Sequence, residues 1–197
     1  MTQICPRFSM LVLLTAAMAG PLALTGCVPA LVVAGAAGTT LVATDRRSVG
    51  AQADDEAIEL KISNNVNTRW GDKVHVNTTS YNGIVLLCGE VPDQETLSSI
   101  GGMARSTDRV RAVHNELAVG PLTPMSARTN DTYITSKVKT RFVEANKFSA
   151  THVKVVTERG IVYLMGIVRH EEGDAAGQIT SATSGVVRVV KLFEYIN

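Results

Sequence analysis

The chain repeats itself, and no other feature narrows the possible folds as far. Asp55 to Val66 aligns with Asp131 to Phe142 at an offset of 76, pairing Ile58 with Ile134, Lys61 with Lys137 and Ile62 with Val138. After one inserted residue the offset becomes 77: His75-Val76 pairs with His152-Val153, Gly83-Ile84-Val85 with Gly160-Ile161-Val162, Leu87 with Leu164, Gly89 with Gly166 and Val110-Arg111 with Val187-Arg188. One kind of unit must serve both halves.

Each unit opens with apolar residues four apart, Ile58, Ile62 and Val66 or Ile134, Val138 and Phe142, a spacing that lines one face of a helix. Asp54 or Asp55, and Asn130 or Asp131, have the side chains of helix caps. Two β-rich runs follow, Val74 to Thr79 and Ile84 to Val91, joined through Asn82-Gly83, which favours a tight hairpin turn; the second copy has Arg159-Gly160 there. Pro92-Asp93 starts a second helix to about Thr107, and Val110 to Val119 reads as a closing strand, with Glu171 to Thr183 and Val186 to Ile196 as counterparts. The expected fold class is α+β: two tandem units, each helix-strand-strand-helix-strand, with a three-stranded sheet packed by two helices. A unit of about 65 residues buries too little surface to be comfortable alone, so the two copies have reason to pack together.

The N-terminal stretch carries a different signal. After Arg7 the run from Phe8 to Gly26 is uncharged, has an apolar centre at Met10 to Ala19, and ends in Leu24-Thr25-Gly26-Cys27. A basic start, an apolar segment too short to span a membrane stably and small residues before a cysteine form a bacterial lipobox, with cleavage after Gly26 and acylation of Cys27. The competing reading, a membrane helix continued through Val28 to Thr44, is weakened by Pro21, Gly35 and Gly38. Residues 28 to 44, rich in Ala, Gly, Val and Thr, read as a tether. Cys5 leaves with the signal and Cys27 is acylated, so Cys88 is the sole free thiol; it lies in an apolar strand and reads as a core residue. Val28 follows Cys27 where an acidic residue would resemble an inner-membrane retention mark, which points to the outer membrane.

Gly83-Ile-Val-Leu-Leu-Cys-Gly89 and Gly160-Ile-Val-Tyr-Leu-Met-Gly166 resemble the glycine-framed hallmark of BON domains, a resemblance that covers residues 54 to 197. With the lipobox, Asp45-Arg46-Arg47, the segment Asn130 to Thr135 and Leu164-Met165-Gly166, the chain is similar to the dual BON-domain outer-membrane lipoproteins. The resemblance implies a non-enzymatic protein that binds anionic phospholipid and supports envelope integrity. It implies no cofactor beyond the N-acyl and S-diacylglycerol lipid on Cys27, and a periplasm-facing position on the inner leaflet of the outer membrane. The expected boundaries are a signal peptide at 1–26, a lipidated N-terminus and tether at 27–53, BON domains at 54–120 and 131–197, and a linker at 121–130. The first glycine of each frame suits a hairpin turn, and the second admits a close helix or a bulge.

No His-Glu-x-x-His, Cys-x-x-Cys, Gly-x-Ser-x-Gly or phosphate loop occurs, so no catalytic or metal residue is assigned. His75 and His152 hold equivalent repeat positions, as a fold-level role predicts, and His170-Glu171-Glu172 reads as a solvated helix start. Lys plus Arg total 19 against 18 for Asp plus Glu, which gives no sign of a nucleic-acid partner. The charge divides unevenly: residues 54–119 hold six basic and ten acidic side chains, residues 131–197 nine basic and seven acidic. The second unit is the one suited to an anionic surface. Its candidate phospholipid-binding residues are Tyr133, Lys137, Lys139, Arg141, Lys147 and Phe148; the first unit has Ala57 in place of Tyr133 and Asn65 in place of Arg141. In the family this first helix of the second domain is the implied lipid-contacting element, usually with Trp where this chain has Tyr133. The opposing reading has Tyr133 covering a junction between the units, with the cations solvated. Strand alternation also turns Ile84, Leu86, Cys88, Ile161, Tyr163 and Met165 away from the helices, to pack unit against unit or to bind an envelope partner protein as a scaffold.

Overall fold

Ser48 opens the first helix, its hydroxyl accepting from the Ala51 N–H at 3.1 Å, and the chain runs helically over Val49–Trp70 (α1). The structure, a computed structural model, describes residues 45–197. The signal segment, Cys27 and the tether to Thr44 lie outside the described residues. Helix α1 therefore starts inside the stretch read as tether, and neither Asp54 nor Asp55 caps it. Strands β1 (His75–Tyr81) and β2 (Ile84–Val91) form an antiparallel hairpin. Helix α2 (Gln94–Arg105) follows, capped by the Asp93 carboxylate, which accepts from the Thr96 N–H at 2.7 Å. Strand β3 (Ala112–Val119) then returns parallel to β2. The second unit repeats the order with α3 (Met125–Ala145), β4 (Val153–Glu158), β5 (Ile161–Arg169), α4 (His170–Ser181) and β6 (Arg188–Ile196). Here too the helix starts early: α3 follows Pro124, so much of the expected linker is helical and Asn130 and Asp131 are not caps.

The two aspartates have another task. Each sits buried in the second turn of its helix and clamps the hairpin turn of its own unit. Asp55 accepts from the N–H groups of Asn82 and Gly83 at 2.7 and 2.8 Å and from the Ser80 hydroxyl at 2.6 Å. Asp131 accepts from the N–H groups of Arg159 and Gly160, both at 2.8 Å. Those turns need left-handed backbone at both central positions, φ 52° and 75° at Asn82 and Gly83 and 51° and 72° at Arg159 and Gly160. The second glycine of each frame admits neither a helix nor a bulge but a carbonyl. A Cβ at Gly89 would lie 2.1 Å from the His75 oxygen, and one at Gly166 2.3 Å from the His152 oxygen.

Strand alternation sorts the apolar side chains into layers. Val85, Leu87 and Val91 meet Ile58, Ile62, Val66, Ile100 and Ala104 from the helices, and the second unit builds the same core from Ile134, Val138, Phe142, Val162, Leu164 and Ala176. The opposite sheet faces meet each other, with Leu86, Cys88 and Tyr81 against Tyr163, Met165 and Val156. The architecture is helix, sheet, sheet, helix. Leu86 and Tyr163 are 0% and 1% exposed, so the scaffold reading, in which these faces bind a partner protein, is overturned; each unit already covers the other's face.

Polar clasps flank this central layer. Arg46 reaches the second unit, donating to both Glu172 oxygens at 2.6 and 2.9 Å and to the Ile167 carbonyl at 2.9 Å. Arg47 binds Asp45 and Asp55, with its guanidinium 4.1 Å from the centre of the Tyr81 ring. Glu172, expected at a solvated helix start, is instead buried and also accepts from the Arg169 N–H at 2.7 Å. Lys154 binds Glu59 at 2.8 Å across the same junction.

Candidate functional site

Helix α3 buries Asp131, Ile134, Val138 and Phe142, and that stripe dictates what its other faces can do. Tyr133 lies about 100° round the helix from Ile134 and is 62% exposed, so it does not cover the junction between units. One turn on, the Lys137 ammonium sits 4.7 Å from the centre of the Tyr133 ring. The same ammonium donates to the Ser184 carbonyl and, at 3.1 Å, to its hydroxyl. Arg141, the next residue in this row, donates to the Ala182 carbonyl and, at 3.2 Å, to the Thr183 hydroxyl. Those acceptors lie at the C-terminal end of α4, where the helix dipole is negative, so both cations are held in place beside the ring.

Lys139 and Lys147 do not join this row. Lys139 is exposed about 200° round the helix from Lys137, and Lys147 is exposed beyond the end of α3. Phe148 leaves the surface: it is half-buried against the second core, its ring edge on Phe142 with centroids 5.1 Å apart. Sequence reasoning missed Val143, one turn after Lys139 and 67% exposed. Its signal was the one that found Tyr133, an apolar residue off the core stripe. The outer face of α3 thus carries an exposed ring and an exposed valine, each with a lysine one turn away.

Elsewhere, Cys88 is buried between the sheets, and burial together with the carboxylates of Glu158 and Glu90 pushes its thiol up, away from the nucleophilic form. No described helix is long and apolar enough to cross a membrane.

The BON domain family model matches residues 54–121 and again 130–197. The chain belongs to the BON-domain family. Its two BON domains are the two repeat units, and each glycine frame runs from the hairpin turn to the glycine that lies against a backbone carbonyl. The chain is 39% identical over 88% of its length, and 91% of the relative's, to the outer membrane lipoprotein DolP of Haemophilus influenzae. It is 31% identical over 77% of its length, and 79% of the relative's, to a 21 kDa hemolysin of Actinobacillus pleuropneumoniae. It is also 28% identical over 75% of its length, and 76% of the relative's, to the osmotically-inducible protein Y of Escherichia coli.

Proposed function

We propose that this chain is a non-enzymatic outer-membrane lipoprotein whose second BON domain rests on anionic phospholipid headgroups and so supports envelope integrity. Cys27, carrying N-acyl and S-diacylglycerol chains after cleavage at the lipobox, is the anchor; the chains contribute roughly 0.8 kcal/mol per buried CH₂. The similarity to an outer membrane lipoprotein over most of both chains supports the outer-membrane location; in this reading the domains face the periplasm from the inner leaflet.

The observation that carries the lipid reading is the exposed Tyr133 ring held against the Lys137 ammonium. An aromatic ring is favoured in the headgroup layer, and each adjacent cation gains about 1 kcal/mol against anionic lipid. Arg141 adds to the same row, and Lys139 and Lys147 add charge on the flanks. Phe148 stays in the core as a support for Phe142.

The test is co-sedimentation of the unlipidated chain, starting at Val28, with anionic and with zwitterionic vesicles. Binding is expected with anionic vesicles only. Lys137→Glu reverses a charge worth about 2 kcal/mol in total, so it should weaken binding about thirtyfold, and Tyr133→Ala should weaken it several-fold. Equal binding by both variants would remove α3 as the contact.

A further inference from the structure

We propose that the junction between the two BON domains binds one divalent cation of the borderline transition-metal type, held by His75, Glu90 and Glu158. Ligand atoms of the three side chains lie within 4.8 Å of one another, with His75 Nε2 3.6 Å from Glu158 Oε2. His75 and Glu90 come from the first domain and Glu158 from the second, so a bound ion would join the two. Imidazole with two carboxylates is a mixed donor set that Zn²⁺ accepts, with its fourth position left to water.

A cluster of acids alone would not carry this inference. The independent observation is Glu158 itself, 4% exposed, with an Oε1 atom that has no hydrogen-bond partner. A buried carboxylate oxygen left unmatched is costly, and a cation is the species that would match it. Two arginines stand near without satisfying Glu158 Oε1: Arg159 Nε is 3.7 Å from Glu90 Oε1, and Arg128 donates through Nε to the Thr123 carbonyl at 3.0 Å. Glu90 also accepts from the Thr123 N–H at 3.1 Å and from its hydroxyl, which fixes its orientation.

The internal repeat supplies a control within the molecule. At an offset of 77 the counterparts of His75, Glu90 and Glu158 are His152, Ile167 and Tyr81, so the fold does not require the paired carboxylates. At that duplicate place the Lys154–Glu59 ion pair bridges the domains, whereas Asn77 and Thr135 occupy the equivalent positions here and line an open cleft of about 310 Å³. The cleft is also lined by His75 and Glu158, and it gives an ion a way in.

The test titrates the full-length lipoprotein, purified without a histidine tag in detergent and stripped with EDTA, with Zn²⁺ and in parallel with Mn²⁺, Mg²⁺ and Ca²⁺. Calorimetry should find one Zn²⁺ per chain, and the melting temperature should rise with Zn²⁺ and fall back with EDTA. His75→Asn and Glu158→Gln should each weaken that binding more than about tenfold, while His114→Asn, remote from the trio, should leave it intact. Without metal, Glu158→Gln should melt no lower than the parent, because it removes an unbalanced charge; this readout shows that the variant is folded. Absence of binding by all four ions, or equal Zn²⁺ binding by folded Glu158→Gln, overturns the proposal.

Discussion

Asp55 shows how a single buried carboxylate ties local structure to the rest of a domain. Burial pushes its carboxyl up, but hydrogen bonds from Ser80, Gly83, Arg47 and Asn82 outweigh burial and hold it below the ordinary carboxylate range. A folded-state value below the unfolded one stabilises the fold above the unfolded value, roughly 3.9. That stabilisation is lost as pH falls through the lower folded value. Asp55→Asn cannot accept from all four donors and should cost about 3 kcal/mol near neutral pH. The gap between parent and variant should close as pH falls below about 4, and thermal melts from pH 7 to pH 3 measure it. A gap that stays constant with pH would show that the loss comes from packing and not from the ionised clamp. The sequence marked Asp55 and Asp131 as equivalent, but a carboxylate ahead of an apolar stripe looks the same whether it caps a helix or, in its second turn, reaches sideways to a hairpin.

At the scale of elements, the helices and strands of the repeat were legible in type and order, from the apolar stripes of α1 and α3, the apolar runs of the strands and the turn and cap residues between them. The starts of α1 and α3 were not. Val49 to Asp54 and Met125 to Asn130 bury no side chain and carry no apolar period, and Val49 and Met125 are 82% and 71% exposed. What starts α1 is the Ser48 cap, with the Arg46 and Arg47 clasps beside it. Ser48→Ala should therefore cost about 1 kcal/mol and fray α1 back toward Asp55, read as faster amide exchange over 49–54 with the remaining helices unchanged. Uniform exchange across the chain would argue against a local cap. Tyr133 was legible because it is an apolar residue out of phase with Ile134, Val138 and Phe142; Val143 carries the same signal and went unread. Phe148 misled because nothing in the sequence says that the chain turns back after Asn146, a left-handed residue that aims the phenyl ring into the core.

For the whole molecule, the central layer decides whether two BON domains behave as two bodies or one. Alternation along β2 and β5 told which side chains leave the helical cores, but not whether they met each other or a partner, since either arrangement buries the same faces. The sheets pack on each other through Leu86, Cys88, Tyr163 and Met165, so each domain supplies part of its neighbour's buried surface. Removing Leu86 to Ala should cost about 2–5 kcal/mol. The loss should lower a single melting transition for both domains, not split the first from the second. Cys88, 0% exposed in that layer, provides the probe. In a chain that starts at Val28 it is the only thiol, so its reaction with a thiol reagent should be slow in the parent and should speed up in Leu86→Ala by the factor that the stability loss dictates. Tyr163→Ala, made in the other domain, should expose the same thiol. If Cys88 stays protected when Tyr163 is removed, the two sheets do not share a core and the domains unfold independently.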